Sequence, residues 1–168
     1  MMKSNTGLLN LSVRTLVFAF LSLAFLTVSA ISHAAEPVAK SKKSGVAIGG
    51  HDSVAYHSLA RAPQGKAKGG KKTFVVEYLG AKWQFASQES ADLFKADPEK
   101  YQPAYNGHCA NALSLGKGLV KTNGKVWEIY GDQLYLFYAK KGRKRWVSAG
   151  DITEYKKVAD AEWARLSQ

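Results

Sequence analysis

The dipeptides Asn123-Gly124 and Gly131-Asp132, set on either side of Val126-Trp127-Glu128-Ile129-Tyr130, constrain this chain more than any other feature. Each is a tight-turn pair, and the runs around them are rich in β-branched and aromatic residues. Leu119-Val120-Lys121-Thr122, residues 126–130 and Gln133-Leu134-Tyr135-Leu136-Phe137-Tyr138 therefore read as three strands of an antiparallel meander. Period two makes Trp127, Ile129, Leu134 and Leu136 candidates for burial. Residues 73–78 and 82–85, joined through Leu79-Gly80-Ala81, read as a separate hairpin. Ser87 and Ser90 are cap candidates for a helix over 89–96 with Ala91, Phe94 and Lys95 as its stripe, and Pro98-Glu99-Lys100-Tyr101 adds a turn. From 149 to 166, Ile152, Tyr155, Val158, Ala159, Trp163 and Leu166 fall at mostly helical spacing. Strands and helices do not alternate. This predicts an α+β domain: a small antiparallel sheet (hairpin plus meander), a central short helix and a C-terminal amphipathic helix. No internal repeat is visible.

Residues 1–34 read as an export signal, with Lys3 and Arg14 in the basic region, an apolar run over 16–28 and a close at Ser32-His33-Ala34 that suits cleavage before Ala35. The apolar run, about 13 residues, falls short of the ~20 that span a bilayer. The expected location is the periplasm or the outside of the cell. Residues 35–44 are lysine-rich and without periodicity, a flexible basic lead-in, and 45–168 has the length of one domain. The chain's 24 basic and 13 acidic residues give a formal charge of +11, which loss of Lys3 and Arg14 would lower to +9. The charge lies in clusters at 40–43, 66–72 and 140–145, expected in a tail, a loop and a turn. They read as solvated, with an anionic membrane surface as a partner and, given export, no nucleic acid.

Cys109 is the chain's single cysteine, so it makes no internal disulfide and is buried, metal-bound, reactive or paired with another molecule. Ala110-Asn111-Ala112-Leu113 reads as the start of a short helix, whose dipole would favour a thiolate. The plainer reading is a small cysteine packed as a hydrophobe. Thiolate and imidazole suit copper or zinc, and the metal candidates are Cys109, His108, His51, His57 and Asp52. An extended His108-Cys109 pair points to opposite faces, so one shared site needs the pair in a turn, which Gly107 permits. The run His51-Asp52-Ser53-Val54-Ala55-Tyr56-His57, if extended, separates its histidines by about 20 Å. Tyr56, Tyr105 and Asn111 are the candidates for holding a small ligand. Thiol redox work by Cys109 beside His108 would need a partner thiol from another molecule. No Ser-His-Asp order, phosphate loop or paired carboxylates stand out, and the chain reads as a binding protein more than an enzyme.

The run Gly50-His51-Asp52-Ser53-Val54-Ala55-Tyr56, the Asp97-Pro98-Glu99-Lys100-Tyr101 segment and the Tyr105-Asn106-Gly107-His108-Cys109-Ala110 stretch occur in the order found in exported bacterial YHS domain-containing proteins, and the chain resembles that family over residues 45–166. It departs at Ser53, where a proline is expected, and at His57, where an aromatic residue is usual. The resemblance implies a metal role, with copper the usual suggestion, and a reactive or soft-ligand role at the position of Cys109. Residues and resemblance together put soft-metal binding by the Gly-His-Cys stretch first, a small-ligand or protein interaction module second, and thiol redox chemistry third.

Overall fold

A computed structural model describes residues 38–59, 65–148 and 152–166. The expected export signal, residues 35–37 of the lead-in and residues 149–151 lie outside the described residues. The described chain enters through Val38 and Ala39, both buried, and the Ala39 N–H donates to the Asn106 carbonyl at 2.9 Å. Lys40 then bridges to Ala47 around a turn that leaves Lys42 and Lys43 exposed. The lead-in expected to be flexible is therefore folded from residue 38, because two apolar residues give it a place in the core.

The elements follow as a 3-10 turn at Ile48–Gly50, α1 (Ala55–Leu59), β1 (Lys71–Tyr78), β2 (Ala81–Phe85), α2 (Gln88–Ala96) and α3 (Pro98–Tyr101), then a second 3-10 turn at Ala104–Gly107, α4 (Ala110–Leu113), β3 (Val126–Tyr130), β4 (Gln133–Phe137), α5 (Lys140–Ser148) and α6 (Ile152–Leu166). This is an α+β fold with two antiparallel hairpins, β1–β2 and β3–β4. Each hairpin closes on a two-residue turn at positive φ, Leu79-Gly80 in one and Gly131-Asp132 in the other. Ser87 caps α2, its side chain accepting from Ser90 N, and Asp97 does the same for Lys100 N at the head of α3.

Three expectations are corrected. Residues 51–57 do not form a strand: Asp52 caps the chain into α1, and a short polar side chain that hydrogen-bonds the next turn outweighs the alternating Val54 and Tyr56. Leu119-Val120-Lys121-Thr122 is no third strand, since it pairs with the segment before α4, through the Lys121–His108 bridge and the Cys109 N–H to Val120 carbonyl bond, instead of with β3. The cationic cluster at 140–145 is helical, because Trp146, fully buried, anchors α5 by a single large side chain. In α6, Ala159 is buried but Val158 is exposed, so the apolar face runs through Ile152, Tyr155, Ala159, Trp163 and Leu166.

Two cores lie on opposite sides of β4. Leu134 and Leu136 join Ile48, Tyr56, Trp83, Phe85 and Phe94 in one, with Trp127 and Ile129 half-buried against it, while Tyr135 and Phe137 join Tyr105, Leu113, Trp146 and Ala159 in the other.

The domain is built twice from one pattern. A constant offset of 52 residues carries β2 onto β4, α2 onto α5, and the last pair of β1–β2, Tyr78 with Ala81, onto that of β3–β4, Tyr130 with Gln133. The packing repeats too: Trp83 and Phe85 meet Phe94 at 5.2 and 5.1 Å, and their counterparts Tyr135 and Phe137 meet Trp146 at 5.0 and 5.4 Å. Upstream, Gly50-His51-Asp52 corresponds to Gly107-His108-Cys109. His51 bridges to Gly69 as His108 bridges to Lys121, and the Asp52 N–H donates to the Lys68 carbonyl as the Cys109 N–H donates to that of Val120.

Candidate functional site

The repeat decides what the Gly-His-Cys stretch does locally. Asp52 is fully buried, its Oδ1 accepting from the N–H groups of Val54 (3.0 Å) and Ala55 (3.1 Å) and its Oδ2 from that of Ala86 (2.9 Å), the residue after β2. Cys109 is the N-cap of α4, and its Sγ accepts from the N–H of Tyr138 at 3.3 Å, the residue after β4. The thiol thus stands where the other half has a carboxylate, tying a helix start to a hairpin end. It is 3% exposed.

The two ring systems of the pattern also match. His51 Nδ1 lies 3.3 Å from the Ile48 carbonyl and His108 Nδ1 lies 3.0 Å from that of Tyr105, each three residues back. Burial of His108 pushes its pKa below the ordinary value; the Tyr105 carbonyl acts in the opposite sense and Lys121 in the same one. The ring lies 6.2 Å from that of Trp163. Gly107, at φ +83°, holds the bend before it, and a Cβ there would come within 2.6 Å of Ile48 Cγ2. The bend stops at the glycine: His108 and Cys109 are both extended, so ring and thiol leave opposite sides of the chain. The turn that one shared site for this pair would need does not extend to His108 and Cys109.

His57 lies apart from both, on α1, edge-on to Tyr101 at 5.4 Å, with Nε2 buried and unpartnered. Its pKa is lowered by burial and then by Lys100, with Asp132 opposing. Among the described residues, no group of three or more His, Cys, Asp or Glu side chains is placed to hold one metal ion. The three ligand candidates are engaged within the fold. Tyr56 Oη donates to the Gly124 carbonyl (2.6 Å), Tyr105 Oη donates to Asp160 (2.8 Å), and Asn111 accepts from Arg145 (3.1 Å). Burial raises the pKa of both tyrosines, helped by Asp52 at Tyr56 and by Asp160 at Tyr105.

A concave site does exist, in a place the residue patterns did not point to. A groove of about 900 Å³ runs between β3 and α5. Val126, Trp127, Ile129 and Val147 supply its apolar surface, and His51, the one metal candidate that reaches it, stands at its edge. Trp127 is fixed by a hydrogen bond from Nε1 to the Gly65 carbonyl (3.2 Å) and an edge contact with Tyr56 at 5.3 Å. Arg143 crosses the groove floor, its Nε donating to the Trp127 carbonyl (2.9 Å) and its guanidinium paired with Glu128. In the first half the corresponding positions are Ala91, buried, and Val76, packed against the same core. Two apolar side chains stand at these positions there, and an ion pair of long side chains stands at them here. The sequence signal that was available, a charged run ending in Trp146, was read as a turn.

Fold and site together define a small α+β domain with a doubled hairpin–helix core and an open groove on its second half. The YHS domain family model matches residues 67–105, and over that segment the chain is similar to a YHS domain. The match takes in β1, β2, α2 and α3 and stops short of Cys109 and of the groove's β3 and α5. No curated protein and no solved structure matches the chain. Among the described residues, no helix is long and apolar enough to cross a membrane.

Proposed function

We propose that this protein is a non-catalytic small-ligand-binding module that holds its ligand between β3 and α5, with Cys109 in a structural role. The groove carries this reading: its volume of about 900 Å³ lies in the range of small-molecule sites, and it combines a fixed indole and aliphatic side chains with polar groups at the rim. The thiol is buried, and its Sγ accepts the N–H of Tyr138 at the end of β4. Nile red, a neutral apolar fluorophore, is expected to bind the purified domain, and Val147→Gln, at an exposed groove position, is expected to weaken that binding several-fold. Cys109 is expected to alkylate only after unfolding. Rapid alkylation of the native thiol, or dye binding indifferent to Val147, would remove the proposal.

Copper or zinc binding at His108 and Cys109 is the second reading, and one observation favours it. With Nδ1 held against the Tyr105 carbonyl, His108 takes the tautomer that leaves the Nε2 lone pair for a metal. Two donors on opposite sides of the chain are a poor set, and this reading predicts that Cys109→Ala and His108→Ala both abolish metal uptake measured by elemental analysis.

The place of action follows from the first 34 residues: we propose export to the periplasm or beyond, with cleavage before Ala35. Intact mass of the exported chain is the check, and a mass retaining residues 16–28 would leave the protein anchored.

A further inference from the structure

We infer that the ligand of this groove is an anion with an apolar body, an inference that rests on the groove being the binding site. Lys66, Lys125, Lys140, Lys141 and Lys144 surround it, and its single lining acid, Glu128, is engaged by Arg143. The field inside is positive, and low-dielectric walls concentrate it.

The first half of the domain shows that the fold does not require this charge. At the positions of Lys140, Lys141 and Lys144 in α5, the same turn-and-helix framework carries Gln88, Glu89 and Asp92 in α2. The α2 arrangement is the one that suits the helix, with Glu89 in the first turn and Lys95 in the last. In α5 the first turn has no acid and begins with two lysines, where the positive end of the helix dipole repels them. Packing does not select these lysines and local electrostatics oppose them. Attraction of an anion accounts for both.

Apolar surface sets the other half of the ligand. Val126, Trp127, Ile129 and Val147 offer a strip too large for a bare inorganic ion, so a phosphate or carboxylate head would meet the α5 lysines while its body lies on the indole.

The test is calorimetry on residues 35–168 with decyl phosphate below its micelle concentration, octyl glucoside as a neutral amphiphile, inorganic phosphate, and phosphatidylglycerol vesicles. Decyl phosphate is expected to bind about tenfold more tightly than octyl glucoside and to weaken as salt rises. Lys141→Glu with Lys144→Asp installs what the first half already tolerates, so this variant is expected to fold and to lose about tenfold in decyl phosphate affinity. The tail variant Lys42→Glu with Lys43→Glu is expected to be unchanged. Equal affinity for both amphiphiles, with no effect of the α5 variant, would overturn the anion while leaving the groove. Failure of every probe to move the Trp127 indole NMR signal would remove the groove itself. Binding confined to vesicles and indifferent to the α5 variant would be adsorption of a basic chain and would also overturn the inference. Inorganic phosphate binding as tightly as decyl phosphate would remove the apolar body.

Discussion

Asp52→Ala is expected to lower folding stability by about 4 kcal/mol, measured by urea unfolding, with no comparable loss for His57→Ala. Three backbone N–H groups, of Val54, Ala55 and Ala86, end on this one carboxylate, and Asp52 is fully buried. Alanine leaves the donors without acceptors where water does not reach, and each such group costs about 1–3 kcal/mol. Some relaxation recovers part of this, which sets the total toward the lower end of the summed range of about 3–9 kcal/mol. Asp52→Asn keeps one acceptor oxygen and is expected to cost about half as much. A loss below about 1 kcal/mol for the alanine variant would mean that these N–H groups find other partners.

Trp146→Ala is expected to cost a similar amount, about 3–5 kcal/mol, and Phe94→Ala to match it within a factor of two. Trp146 is fully buried, lies on Tyr135 and Phe137, and donates from Nε1 to Ser114 Oγ at 2.9 Å. It is also the only buried side chain of α5, so its truncation leaves that helix held chiefly by the polar contacts of Arg143 and Arg145. Differential scanning calorimetry of both variants checks the pair. A Trp146→Ala protein as stable as wild type would show that α5 is held by the Arg143–Glu128 pair instead.

What the sequence disclosed of the fold was local, as was what it concealed. Both hairpins followed from β-branched and aromatic runs around turn residues, and α2 from Ser87, Ala91 and Phe94. The repeat did not, because along 68–96 and 120–148 only Tyr78 with Tyr130 and Phe85 with Phe137 are identical. What is kept is aromatic character, as when Trp83 and Phe94 become Tyr135 and Trp146, and this becomes visible once the packing is seen. The helix α5 was masked by its charge, since composition reads five cations around Gly142 as a solvated turn. The site was misplaced for a directional reason: adjacency of His108 and Cys109 suggested one centre, whereas an extended backbone sends them apart. The groove depends on Arg143 and Glu128 meeting across a helix and a strand, and no one-dimensional spacing records that.

The two-faced burial of β4 has a consequence for how this chain can err. In most hairpins a one-residue slip drives apolar side chains into water, and that penalty guards the pairing. Here a slip would exchange Leu134 and Leu136 for Tyr135 and Phe137 between two interiors, both apolar, and solvent would exact little. Correct alignment therefore rests on the Gly131-Asp132 turn, whose two positive-φ residues admit a single loop length. Lengthening that turn by one residue would leave a slipped pairing opposed by close packing more than by solvent, so the domain's register is kept in good part by two exposed turn residues.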